Sequence, residues 1–102
     1  MTLVEVLTEA GADLDGLDAT DTGAGRVWSV GEVPVAAAST ERAEFRLAPS
    51  VARAALGTAD TAPSTRGRDW IAFMPPELDR FAIDRARAWL GSAWRNARQP
   101  RR

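Results

Sequence analysis

Arg66 and Arg68 flank Gly67 in the stretch Ser64-Thr65-Arg66-Gly67-Arg68, two residues short of Trp70. Two guanidinium groups beside two hydroxyls make a donor set for a phosphate or a carboxylate. The same residues also suit a solvated loop in which one arginine is held by a nearby acid. A second series, Arg80, Arg87, Arg95 and Arg98, recurs at helical spacing. A helix there would carry them on one side, where they could track phosphates by counterion release, with an affinity that falls steeply with salt. They would equally serve as the solvated side of a helix with internal ion pairs. Trp28, Trp70, Trp89 and Trp94 are the four tryptophans, beside three phenylalanines and no tyrosine. An exposed tryptophan stacks on bases, whereas a buried one fills a core. Trp70 and Trp89 are expected in the core. Trp89 and Trp94 cannot both sit at the centre of one narrow helix face, so Trp94 is expected at the core edge or against a second copy of the chain.

Other chemistries lack their parts. Asp13, Asp15 and Gly16 imitate the start of a calcium loop, but glycine follows the second aspartate directly and the twelfth position of that frame is Ala24. The required ligand at that place is a glutamate, so the motif fails. Asp79 and Asp84 are five apart and do not face each other on a helix, as a hydrolytic carboxylate pair must. The chain has no His and no Cys, and all 13 basic residues are arginine. Imidazole bases, thiol nucleophiles, Cys/His zinc sites, Schiff-base lysines and P-loop lysines are therefore excluded. Ser and Thr hydroxyls have no His base and no Lys base to activate them. A non-catalytic protein without cofactor or metal is expected.

The 102 residues make up one domain's worth of chain, 45% hydrophobic and 26% charged. A single domain over 1–102 is expected. No apolar run is long enough to span a membrane, and the first residues lack the basic and apolar segments of a secretory signal, so no membrane partner and a cytoplasmic location are expected. The net charge of −1 conceals a polarity. Residues 1–45 carry nine acids and two arginines, a balance of −7; residues 46–102 carry five acids and eleven arginines, a balance of +6. Either the two halves attract each other or the second half offers a basic surface to a polyanion.

The elements that must position these groups follow from pattern. Thr2 and Glu5 form a capping box before Leu3, Val4, Val6 and Leu7, which predicts a short helix over 3–10 that stops at Gly11. Residues 11–25, rich in Asp, Gly and Thr, read as an acidic loop. Strands are predicted over 26–30 and 33–38, joined by a Gly31-Glu32 turn. Pro34 makes the second of them irregular or an edge at its start. Ala43-Glu44-Phe45-Arg46-Leu47 alternates and reads as a third strand. Pro49 suits the first turn of a helix with Val51, Ala52, Ala55 and Leu56 inward. Residues 58–68 read as loop. Trp70–Met74 reads as a strand apolar on both faces, hence covered on both sides. Pro75-Pro76-Glu77 opens a helix running from 76 to about 98, with Leu78, Phe81, Ala82, Ala86, Trp89, Leu90, Ala93 and Ala97 inward and Arg80–Asp84 and Asp84–Arg87 paired outward. Residues 99–102 should fray. The sum is an α+β fold in the order α-β-β-β-α-β-α, an antiparallel sheet of about four strands under a long C-terminal helix.

From Arg26 to Ala97, about 70% of the chain, this series resembles the MmcQ/YjbR-like group of small bacterial proteins and the related "luciferase-family" proteins. The features that carry it are the hairpin around Trp28-Ser29-Val30-Gly31-Glu32-Val33-Pro34, the strand Glu44-Phe45-Arg46-Leu47 and the Pro49-led helix. The loop ending at Gly67, the strand Trp70-Ile71-Ala72-Phe73 and the helix with Trp89, Leu90, Ala93, Trp94 and Ala97 complete it. YjbR-like chains tend to carry a Ser-Tyr pair where this one has Ala93-Trp94. The resemblance implies an antiparallel sheet packed against helices and a DNA-binding or regulatory module; it implies no catalytic residue. The expected function is a non-catalytic binding or regulatory protein that meets nucleic acid or an acidic protein through Arg66, Arg68, Arg80, Arg87, Arg95 and Trp94. The alternative is a self-associating module, a homodimer formed through Trp94 and the sheet edge near Pro34.

Overall fold

A computed structural model describes residues 1–99. Three helices and six strands follow in the order α1 (Leu3–Gly11), β1 (Leu17–Thr22), β2 (Gly25–Val30), β3 (Val33–Ala38), β4 (Ala43–Arg46), α2 (Pro49–Ala55), β5 (Thr61–Pro63), β6 (Trp70–Phe73) and α3 (Arg80–Arg98). The strands form one antiparallel sheet in the spatial order β1-β2-β3-β4-β6-β5. The α+β class and the long last helix packed on the sheet agree with the sequence reading. The strand count does not, because two strands lie in segments expected to be loops.

The first is β1, inside the acidic stretch 11–25. It pairs along its whole length with β2, from Leu17↔Val30 to Thr22↔Gly25, around a two-residue turn at Gly23 and Ala24. Its residues beyond Leu17 are all exposed, so no apolar alternation announced it. Acidic side chains on an outer strand discourage pairing with another chain, which is how an edge strand is kept from aggregating. The second is β5, three residues that pair with β6 from Thr61↔Phe73 to Pro63↔Ile71. Its terminal Pro63 is tolerated because β5 is the other edge.

The local rules explain most of the rest. Thr2 Oγ1 accepts from the Glu5 amide at 3.2 Å and Glu5 Oε1 accepts from the Thr2 amide at 3.1 Å, closing the capping box of α1. Gly11 is the last residue of α1, and it serves packing: a Cβ there would lie 3.2 Å from Leu17 and 3.4 Å from the Trp28 indole. Pro49 opens α2 as expected. β3 is an interior strand, so Pro34 is not on a sheet edge in the simple sense. β4 pairs only from Ala36 onward, and the β2 register shifts between Trp28 and Ser29. The missing amide of Pro34 therefore falls beyond β4, beside a bulge. The last helix starts at Arg80, not at 76: Asp79 is its N-cap, with Oδ1 accepting from the Ala82 amide at 2.9 Å. A capping carboxylate satisfies an orphan amide that prolines cannot, so Pro75, Pro76 and Glu77 lie in the segment before it.

Cross-strand partners share a face of a sheet. Trp28, Ala36, Phe45 and Ile71 form one row and Ala38, Ala43 and Phe73 another, all buried. α1 and α3 pack together over this face, and α2 against β6 at its end. From α3, Ala82, Ala86, Trp89, Leu90 and Ala93 enter the core. Phe81 does not; it is 75% exposed. In the first turn of the helix Ala82 is buried while its neighbour Phe81 points away from the core. Among the described residues no helix packs over the opposite face of the sheet, as an antiparallel sheet permits. No helix among the described residues is long and apolar enough to cross a membrane. The tail expected to fray lies, beyond Gln99, outside the described residues.

Candidate functional site

Glu44 sits at the middle of the open face. It is cross-strand to Ala37 on one side and Ala72 on the other, which leaves room above the alanines for other side chains. Ser64 donates its hydroxyl hydrogen to Glu44 Oε2. Arg66 Nε donates to Oε1 at 3.0 Å, and Arg42 Nη2 to Oε2 at 3.5 Å. β6 lies between β4 and β5, so the Ser64–Glu44 bond bridges over it. Here is the cover that the apolar strand 70–74 was expected to have on its second side. It is a bridge of polar side chains, with no second layer of structure among the described residues. Burial pushes the Glu44 carboxyl up, but the Ser64 hydroxyl and the Arg66 and Arg42 guanidinium groups outweigh it and hold it below its ordinary value.

The sign of that shift sets a pH dependence. A lowered folded pKa contributes stability that is complete above the unfolded value and lost as the pH falls through the folded one. Glu44→Gln should cost about 1 kcal/mol at pH 7, a figure kept small because both arginines are about 40% exposed. Urea midpoints of variant and parent should converge below pH 4. A cost at pH 3 equal to that at pH 7 would mean that shape, not charge, is what Glu44 supplies.

Next to this cluster is Trp70, half-buried on the same open face. Arg46 is its direct cross-strand partner. The Arg66 guanidinium lies over its ring, 5.6 Å from the centroid, a cation–π geometry. Arg66 and Arg68 are on the hairpin loop between β5 and β6. Asp69, at φ 67°, turns the chain into β6, and the Ser64 amide closes the loop on the Trp70 carbonyl at 3.0 Å. Arg68 and Arg53 line a hollow of about 330 Å³ between α2 and this loop, with Trp70 in its wall. Among the described residues Arg46, Arg53 and Arg68 make no ion pair and no side-chain hydrogen bond.

The structure thus divides the candidate residues. Arg66 and Arg68 are together on one loop, and Arg66 takes the acid-paired alternative. Arg80, Arg87 and Arg95 are exposed on α3, on the far side of the sheet from Arg66. The pairs expected between Arg80, Asp84 and Arg87 are absent among the described residues, whose ion pairs are Arg26–Asp21, Arg42–Glu44 and Arg66–Glu44. Exposed i,i+4 pairs are worth only a few tenths of a kcal/mol, too little to order long side chains. Among the described residues Arg66–Glu44 is the one ion pair that joins the acidic and basic halves. Their opposite charges become a polarity of the sheet, with Asp18 and Asp21 on edge β1 and the arginines around Trp70 about 19 Å away across four strand spacings.

Trp94 is half-buried, and its indole Nε1 donates to the Asp15 carbonyl at 2.7 Å. Arg98 donates to the same oxygen at 3.2 Å and lies over the Trp94 ring at 4.7 Å. Trp94 therefore anchors the α1–β1 loop at the edge of the core. Trp28 and Trp89 are buried and Trp70, also expected in the core, is not. Sequence reasoning passed over Arg46 and Arg53. The available signal was the strand alternation itself, which puts Trp70 on the face opposite Ile71 and Phe73. Among the described residues no cluster of three or more His, Cys, Asp or Glu is placed to hold a metal ion. Neither the family models nor the curated proteins nor the solved structures contain a match to this chain.

Proposed function

We propose that this chain is a non-catalytic binding protein that takes single-stranded nucleic acid on the open face of its sheet, at the β4–β6 end. The observation that carries the reading is Trp70, half-exposed and topped by Arg66, with Arg46, Arg53 and Arg68 around it, unpaired among the described residues. Single strands are held by this combination: an aromatic face on which a base stacks and cations that follow the phosphates. The acids nearby are few. Asp69 adjoins Trp70 and is outnumbered by the arginines, Glu44 is already compensated by two arginines, and the aspartates of β1 lie across the sheet. The resemblance to the MmcQ/YjbR-like group, as a DNA-binding or regulatory module, points the same way.

Fluorescence polarisation with a labelled 12-nucleotide DNA and its RNA counterpart, at 50 and 200 mM salt, tests this. Binding should weaken steeply with salt. Arg46→Ala, Arg53→Ala and Arg68→Ala together should lower the slope of log K against log salt by about 2, since each phosphate contact on a single strand contributes about 0.7. Trp70→Ala should weaken binding roughly 5- to 150-fold, the range of one base–aromatic stack. No binding at 50 mM salt would end the reading.

The α3 lane supports a second reading, a contact with an acidic protein. Arg80, Arg87 and Arg95 are exposed and unpaired among the described residues, but they run beside α1, whose Glu5 and Glu9 are also exposed. That neighbour repels a polyanion and suits a partner of mixed charge. Arg80→Ala, Arg87→Ala and Arg95→Ala together should leave stability and oligonucleotide affinity nearly unchanged. If they abolish oligonucleotide binding, the site is on α3.

A further inference from the structure

We infer that the hollow between α2 and the β5–β6 loop is a binding site for a small amphipathic anion, a flat apolar body carrying one carboxylate or phosphate group. The inference rests on the reading of this end of the sheet as an anion-binding surface.

The hollow holds about 330 Å³, within the range of small-ligand sites. Ala52 of α2, Leu56 at its C-cap, Pro63 of β5 and Trp70 of β6 give it an apolar wall, and Arg53 and Arg68 are its cations. Leu56, expected inward from the helical spacing, is instead 41% exposed; it follows the last residue of α2 and lines this space. Neither arginine has a partner among the described residues. An arginine that is merely solvated requires no apolar wall, and an apolar hollow that merely awaits a side chain requires no cations. The two together match a ligand with both kinds of surface, whose ring packs between Leu56, Pro63 and Trp70 while its anionic group meets the guanidinium fork. Of the acids, Asp69 also lines the hollow, which leaves a net positive balance with the two arginines.

A larger hollow, about 590 Å³, lies between the start of α1 and the segment 74–78. It lacks this chemistry. Its one arginine, Arg42, is already engaged by Glu44 and lies against the Met74 sulfur, and Glu41 stands in the same wall.

The test uses three probes on the ¹⁵N-labelled full chain: phenylacetate, adenosine 5′-monophosphate and inorganic phosphate. Phenylacetate or the nucleotide should move the amides of Leu56, Gly67, Arg68 and Asp69 saturably in the millimolar range. The tighter of the two identifies the source as an aromatic acid or a nucleotide. Phosphate alone should bind at least ten-fold more weakly, because the apolar wall then contributes nothing. Arg53→Ala with Arg68→Ala should weaken binding at least ten-fold, and Leu56→Gln, a change at an exposed position, at least three-fold. Shifts from phosphate equal to those from phenylacetate would overturn the inference, as would full binding by the double variant or the absence of shifts with every probe. The oligonucleotide assay separates the two proposals. Oligonucleotide binding without small-anion shifts leaves the nucleic-acid surface standing and removes the pocket. Small-anion shifts without oligonucleotide binding do the reverse.

Discussion

Trp89→Ala should lower the free energy of unfolding by about 3–5 kcal/mol, the range for truncating a buried aromatic residue. Trp89 is the piece of α3 that reaches the middle of the sheet. Its ring meets Phe73 edge-on, 5.1 Å between centroids at 84°, and Phe45 at 6.0 Å and 53°. Phe45 and Phe73 are fully buried on neighbouring strands β4 and β6. One indole thus locks one helix to two strands, and edge-on aromatic pairs add about 0.5–1.5 kcal/mol to the area they bury. Arg85 closes the outer side, with its guanidinium 5.8 Å from the Phe73 ring and 6.0 Å from the Trp89 ring. Alanine would leave a cavity between the layers that rigid strands cannot fill. A domain of this size has about 5–15 kcal/mol in total, so the variant should lose between about a fifth and all of its stability at 25 °C. Trp89→Phe, which keeps a ring at the junction, should lose less than half as much. Urea denaturation followed by far-UV circular dichroism reads both. A loss under 1 kcal/mol for the alanine variant would mean that α3 is held elsewhere, for instance through its contacts with α1.

Gly25→Ala should cost about 3 kcal/mol or more, for a different reason. Gly25 opens β2 after the turn at Gly23 and Ala24, and two of that turn's amides, those of Ala24 and Gly25, donate to Thr22 Oγ1 at 3.3 and 3.1 Å. A Cβ at Gly25 would lie 2.0 Å from the carbonyl oxygen of Ala38 and 3.0 Å from Ser39 Cα. Both are backbone atoms at the end of β3, so neither can swing aside as a side-chain tip can. The residue also has φ 156°, which costs an L side chain further. Relief requires the tip of the β1–β2 hairpin to part from β3. At about 4–8 °C per kcal/mol for a domain near this size, the melting temperature should drop by roughly 15 °C. Gly23→Ala, two residues away with nothing within 4 Å, should stay within about 0.5 kcal/mol of the parent. If the two variants melt together, the close approach at Gly25 is not what the fold depends on.

Much of this molecule was legible wherever a local rule acts alone. The capping box at Thr2 and Glu5, the Pro49 start of α2, the β2–β3 turn at Gly31 and Glu32 and the alternation around Phe45 each depend on neighbours a few residues apart. The sequence also determined which chemistries are absent from its side chains, since it has no imidazole, thiol or amine side chain. β1 was missed because its partner supplies its order: Asp18, Thr20 and Thr22 bury nothing, and only the ladder to β2 makes them a strand. The start of α3 was misplaced because two prolines and a glutamate resemble a first turn as well as Asp79 does, and the choice depends on which orphan amides find an acceptor.

The candidate site was legible only in part. Arg66 and Arg68 stand out by spacing, and so does Trp70 as a residue. That Trp70 faces outward, that Arg46 lies directly across from it and that Arg53 of α2 shares a hollow with Arg68 are consequences of strand order β4-β6-β5 and of the side on which the helices pack. Periodicity sorts a strand's residues into two sets; it does not say which set the helices cover. That choice is made by the burial of Ile71, Phe73 and Phe45 against Trp89. The open face, with its arginines, is what remains.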